Sequence, residues 1–151
     1  VVHRVSSGVK NILGPVAYVV AGMQALASWP MPPLSVKLDE QPPLNGWHVI
    51  VGNGNYYGGP FHVTPGAHLE DPTFEVAIFQ GAARRHLVAT ALRVALGRQK
   101  DGNHVLLRRA SRVAVTAPRP VHVQVDGDPF GTLPLYAEIE PRALKILYPA
   151  D

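Results

Sequence analysis

Two carboxylates flank a single glycine at Asp126-Gly127-Asp128, directly after a stretch in which Val121, Val123 and Val125 alternate with His122 and Gln124. The alternation has the period of a strand with one buried face. Asp-Gly between strand-like segments is a strong hairpin signal, because glycine tolerates the positive φ of tight turns. A surface turn needs one such acid at most. A second carboxylate beside Pro129, Phe130 and Gly131 could hold a proton, a metal or a substrate hydroxyl. A plain turn stands against that reading.

A second group with chemical potential is His68, Glu70 and Asp71, in the polar segment Val63 to Pro72. Carboxylate and carbonyl oxygens suit a hard cation, although short acidic clusters in loops are usually only solvated. A third candidate is the glycine-rich segment Gly52 to Pro60, with four glycines, two asparagines and the pair Tyr56-Tyr57. It lacks the GxxxxGK[ST] pattern and no helix pattern follows, so its context does not fit a phosphate-cradling loop. Tight packing fits it better. The tyrosines read equally as loop aromatics or as walls of an apolar pocket. His48, His62, His86, His104 and His122 are scattered singly, without HExxH spacing.

These residues need elements to hold them. Val9–Ser28 has helical spacing, stopped by the prolines after Trp29. Leu34, Val36 and Leu38 mark a short strand, and Gln41 to Gly46 reads as a turn region. Trp47–Gly52 is expected to be a buried strand and Thr73–Phe79 another. Arg84–Gly97 reads as a helix, with an apolar stripe of Leu87, Val88, Ala91, Leu92, Ala95 and Leu96 for the core and Gly97 as its C-terminal cap. Strand patterns follow at His104–Leu107, Ser111–Thr116, Val121–Val125, Leu133–Glu140 and Ala143–Leu147. The expected architecture is mainly β with two helices, an antiparallel sandwich in one domain.

The 151 residues are enough for one sizeable core. Without cysteine, disulfides and thiolate metal sites are excluded. No apolar run reaches the ~20 residues of a membrane-spanning helix. A net charge of +3 conceals a basic segment: Arg84 to Arg119 holds nine Lys or Arg and one acid, against five basic and ten acidic residues elsewhere. Such a segment suits an anionic membrane, a phosphorylated substrate or nucleic acid, or is merely a solvated face. No aromatic–basic interleaving supports nucleic acid. The start at Val1, without methionine, suggests processing or a piece of a longer protein.

The succession VGNGNYYGG, TPGAHLEDPTFEV, the helix with a basic start, VQVDGDP and PRALKILYP resembles the C-terminal half of the diacylglycerol-kinase-like lipid kinases, which include bacterial lipid kinases and sphingosine kinases. The likeness runs from about Gly14 to Pro149. It implies a C-terminal β-sandwich domain of the type in diacylglycerol and NAD kinase-like enzymes. The partner domain would be an N-terminal nucleotide-binding domain with a Gly-Gly-Asp-Gly-Thr loop. No such loop occurs in these residues, so ATP would be bound mainly by that other domain, and this chain alone would be inactive.

The family's Asp-Gly-Glu turn falls on Asp126, Gly127 and Asp128. The resemblance implies Asp128 as proton acceptor from the lipid hydroxyl, with Asp126 as a second candidate. Asp128 is one methylene shorter than the usual Glu. The family's magnesium loop falls near Pro65, Ala67 and Asp71, implying Mg²⁺ held by the Asp71 side chain and the backbone carbonyls of His68 and Thr73; Pro72 stands in place of the usual glycine. Burial beside Phe130 and Leu133 would raise the pKa of an acid at the turn. The implied partners are a lipid substrate, a peripheral anionic membrane surface on the cytoplasmic side and the nucleotide-binding domain, with a second copy in a homodimer as a further option and no nucleic acid. The alternative is a non-catalytic lipid- or membrane-binding β-module with degenerate kinase motifs.

Overall fold

A computed structural model describes residues 31–57, 61–81, 83–98, 100–102 and 104–145. The helix expected at Val9–Ser28 lies outside these residues. The first described strand, β1 (Leu34–Leu38), buries Leu34, Val36 and Leu38 and turns Lys37 outward, as its alternation requires. β1 pairs antiparallel with β2 (Leu44–Gly46) on one side and β8 (Arg112–Thr116) on the other. With β11 (Leu135–Glu138) beyond β8, the first sheet runs β11-β8-β1-β2. The segment expected as a turn thus ends in the short strand β2, on the sheet edge.

The second sheet has the order β3 (His48–Gly52), β6 (Phe74–Phe79) and β7 (Val105–Ala110), again antiparallel. Leu34, Val36, Leu38, Val113 and Val115 of the first sheet share one core with Val76, Ile78 and Ala110 of the second. Two sheets packed face to face over a common core make a sandwich. On the far side of the second sheet, Ala77, Phe79, Val105 and Val63 form a smaller core, with Phe61 and Val94 packed against it. β6 is therefore covered on both faces, and Glu75 to Phe79 are all buried. β3 takes the edge of its sheet and is only half-buried, contrary to the buried strand expected there.

Helix α1 (Arg84–Ala95) ends with Gly97 at φ 62°, the left-handed cap its glycine predicts. Its orientation differs from expectation. Thr90 is buried, Val94 joins the smaller core, and the His86 ring stacks on His104 with centroids 3.9 Å apart. Val88, Leu92 and Leu96 face outward, 46%, 60% and 66% exposed. Positions 86, 90 and 94 make a stripe at four-residue spacing, so this half-polar face docks and part of the apolar stripe is left in solvent.

After β8, β9 (His122–Val125) and β10 (Asp128–Thr132) form a separate antiparallel hairpin. β10 was not expected, since DPFGT lacks alternation. The last strand is shorter than the expected Leu133–Glu140, and residues 143–145 of the Ala143–Leu147 pattern are not a strand; the rest lie outside the described residues.

Candidate functional site

The hairpin is anchored at its base. Val121 and Leu133 pack on the main core, and the Leu133 N–H donates to the Val121 carbonyl at 2.9 Å. At the tip Val125 pairs with Asp128 across a two-residue turn in which Asp126 has φ 51° and Gly127 φ 93°. Positive φ at both central positions matches the twist of the flanking strands; glycine adopts it without cost and aspartate tolerates it. The turn therefore accounts for Asp126 and Gly127. It makes no demand on Asp128, the first residue of β10.

Both acids are exposed. Phe130 is 67% exposed, and Leu133 turns into the core instead of covering the tip. The apolar burial expected beside Asp128 is thus not supplied by the described residues. A register shift between Pro129 and Gly131 bends β10 away from flat pairing, which turns Phe130 into solvent.

The tip is not isolated from the glycine-rich segment. Gln124 Nε2 donates to the Tyr57 hydroxyl, which joins β9 to β4 (Tyr56–Tyr57). β4 pairs with β5 (Phe61–His62), and Tyr56 lies over His62 with ring centroids 4.5 Å apart. Neither tyrosine is enclosed, at 64% and 38% exposure, so they are contact residues of this small ribbon, not walls of a closed pocket.

From the glycine segment the contacts continue to the acidic loop. Thr64, 1% exposed, donates through Oγ1 to the Gly54 carbonyl at 2.9 Å. The Ala67 N–H donates to the Thr64 carbonyl at 3.1 Å, and the Asp71 N–H to the His68 carbonyl at 3.0 Å. Glu75 Oε2 accepts from the Gly66 N–H at 2.7 Å, and Arg109 Nη2 donates to the Gly66 carbonyl at 2.5 Å. Arg109 Nη1 also reaches Asp71 Oδ2, at 3.5 Å. A line of contacts thus runs from the Asp126–Asp128 hairpin through Tyr57, Gly54 and Thr64 to the loop that carries Asp71.

The expected metal ligands fit a hard cation in kind. Asp71 offers a carboxylate whose only described partner is Arg109, and the His68 carbonyl keeps a second lone pair beyond the Asp71 hydrogen bond. Glu70 and His68 are exposed. Among the described residues, no three His, Asp or Glu side chains gather around one point. A cation here would rest on one carboxylate and backbone carbonyls.

Sequence reasoning missed Thr64, Glu75, Arg109 and the Tyr57–Gln124 contact. Glu75 sits at a buried position within an apolar strand, where a carboxylate must be hydrogen-bonded; that was the available signal. Arg109 is its cross-strand neighbour, and the pairing depends on register.

Residues 1–148 match the family model described as the YegS C-terminal NAD kinase beta sandwich-like domain. The chain is 29% identical over its whole length to the "Probable lipid kinase YegS-like" of Pseudomonas fluorescens, of which it covers 50%. It is 27% identical over 87% of its length to the "Diacylglycerol kinase" of Bacillus subtilis, covering 44% of that protein. A solved structure of a candidate diacylglycerol kinase from Bacillus anthracis str. Sterne superposes with a TM-score of 0.70 at 20% identity, over 91% of this chain and 47% of that one. The chain spans about half the length of these relatives. With a two-sheet sandwich, a hairpin bearing Asp126 and Asp128, and a family match over nearly every residue, the chain belongs to the family of YegS-type C-terminal NAD kinase beta sandwich-like domains, found in lipid and diacylglycerol kinases.

Proposed function

We propose that this chain is the lipid-binding, base-supplying β-domain of an ATP-dependent kinase that phosphorylates a diacylglycerol-like hydroxyl. The observation that carries the reading is the placement of Asp128 at the exposed head of β10, on a hairpin tied to the glycine-rich segment through Gln124 and Tyr57. A loosely covered carboxylate on an anchored hairpin can approach a substrate held by another domain. Relatives about twice this length, and the lack of a Gly-Gly-Asp-Gly-Thr loop in these 151 residues, support a nucleotide-binding domain as that partner.

In this scheme the lipid hydroxyl oxygen attacks the ATP γ-phosphorus, the bond to the bridging oxygen of ADP breaks, and Asp128 takes the hydroxyl proton. Such transfer depends on positioning and charge neutralisation more than on covalent chemistry. Asp126, fixed by the turn, orients the tip. The missing apolar cover for Asp128 would come from the partner domain or the lipid, which would exclude water from the carboxylate once substrate is seated. Asp71, with the His68 and Thr73 carbonyls, would hold Mg²⁺, which when bound cross-links the loop and neutralises carboxylate charge there.

The surface of α1 supports a peripheral anionic membrane as the place of work. Val88, Leu92 and Leu96 form an exposed apolar line, with Arg85 and Arg93 exposed on the same helix. Apolar insertion plus basic attraction is how an interfacial helix binds anionic lipid. No described helix is long and apolar enough to cross a membrane.

A second reading, a lipid-binding module without chemistry, is favoured by the shorter Asp128 side chain and the open surroundings of the turn. Lipid phosphorylation by the protein joining this chain to its nucleotide-binding domain separates the two. Turnover that collapses in Asp128→Asn while vesicle binding persists supports the kinase reading; vesicle binding with no turnover in the parent supports the module.

A further inference from the structure

Two carboxylates and one guanidinium meet around the peptide of Gly66. Glu75, 8% exposed, holds the Gly66 N–H through Oε2 at 2.7 Å. Arg109 lies directly opposite Glu75 in the β6–β7 register. It donates through Nη2 to the Gly66 carbonyl at 2.5 Å and approaches Asp71 Oδ2 through Nη1 at 3.5 Å. One planar fork therefore takes a backbone carbonyl and a carboxylate oxygen together. Those are the ligand types a hard divalent cation takes, and a rigid fork can hold both at once where the point charge of lysine cannot.

We infer that Arg109 is the built-in cation of the Gly66–Asp71 loop, holding it without metal and competing with a divalent ion for the Asp71 carboxylate. The inference rests on the proposal that Asp71 is where such an ion would bind. Glu75 and Asp71 bring two negative charges and Arg109 returns one. A divalent ion replacing the guanidinium would neutralise both carboxylates; one added beside it would leave an excess positive charge. Like charges a few ångströms apart disfavour joint occupancy. The loop is consequently ordered at low magnesium, and metal binds it only by displacing Arg109 from Asp71. A plain surface ion pair would affect stability slightly and leave metal affinity alone.

The test titrates MgCl₂ alone into the full 151-residue chain, following heat and melting temperature. Arg109→Met keeps the apolar stem without the charge and is expected to bind Mg²⁺ at least tenfold more tightly than the parent. Arg109→Lys keeps the charge and should show no such gain. Adding Asp71→Asn to Arg109→Met should abolish the gain. Arg109→Gln, which keeps a donor for the Gly66 carbonyl, takes the place of Arg109→Met if that variant does not fold. Equal affinity in parent and Arg109→Met, or a gain that survives Asp71→Asn, overturns the competition while leaving a metal site standing. Failure of every variant to bind Mg²⁺ overturns both the competition and the metal reading of Asp71.

Discussion

The Thr64 hydroxyl donates to the Gly54 carbonyl at 2.9 Å, and a Cβ on Gly52 would lie 2.4 Å from that same hydroxyl oxygen. The glycine-rich segment is thus shaped around one buried threonine and not around a phosphate. Gly52→Ala should destabilise the domain by about 1–3 kcal/mol through overpacking. Thr64→Val removes the donor and leaves the Gly54 carbonyl unserved, at a cost of about 1–3 kcal/mol. Urea unfolding of both variants checks this; unchanged midpoints would mean that the segment can move away from Thr64.

Glu75 makes a comparable demand on the acidic loop. A Cβ on Gly66 would come 2.7 Å from Glu75 Oε1. Gly66→Ala should push Glu75 off its hydrogen bond and raise amide exchange across the loop, with a stability loss of about 1–3 kcal/mol. Hydrogen exchange of the Gly66–Asp71 amides, read against the β8 amides as internal reference, reports it directly.

Two titrations should shape the acid side of the stability curve. Burial, together with the charges of His104 and Arg85, holds His86 below its ordinary value near 6.5. The unfolded chain then binds a proton more readily than the folded one, so stability is full above about pH 6.5 and falls as pH drops from there toward the folded value. The Arg112 and Ser111 N–H groups and the Ser111 hydroxyl hold Asp39 below the usual carboxylate range. Its contribution is present above about pH 4 and is lost below that. Melting temperature against pH should show two descending steps, the upper reduced by His86→Gln and the lower by Asp39→Asn; burial also holds His48 low and the Leu107 N–H holds Asp101 low, so neither step vanishes entirely. A profile flat from pH 7.5 to 5.5 would contradict the first.

The outward line on α1 predicts membrane behaviour. Leu92→Asp places a charge at an exposed position, so folding should change little, while sedimentation with vesicles of anionic phospholipid should weaken several-fold. Arg93→Glu should weaken it too, and more so at low salt, because attraction between exposed charges is screened by ions. Binding indifferent to both changes would leave α1 without a membrane role.

Alternation alone located β1, and Asp126-Gly127 alone located the hairpin, because strand period and turn chemistry are local properties. The inward face of α1 was not legible. Val88, Leu92 and Leu96 fit the apolar period as well as any inward stripe, and only the seating of His86, Thr90 and Val94 on the second sheet decides between them. β10 escaped notice because Asp128, Pro129 and Gly131 are poor strand formers, held there by pairing with β9. The acids of the candidate site were visible, whereas their supports, Thr64, Glu75, Arg109 and Tyr57, become neighbours only through tertiary register.

In the proposed kinase reading, Asp128 receives the proton of the lipid hydroxyl. The direct measurement is the rate of lipid phosphorylation by the protein joining this chain to its nucleotide-binding domain, compared among the parent, Asp128→Asn and Asp128→Glu. Asp128→Asn should lower turnover by ~10²-fold or more, with lipid binding little changed. Asp128→Glu adds roughly 1.5 Å of reach, about one carbon–carbon bond, and should keep or raise the rate. Near-parental turnover in a folded Asp128→Asn protein would contradict the account and leave the hairpin as a turn.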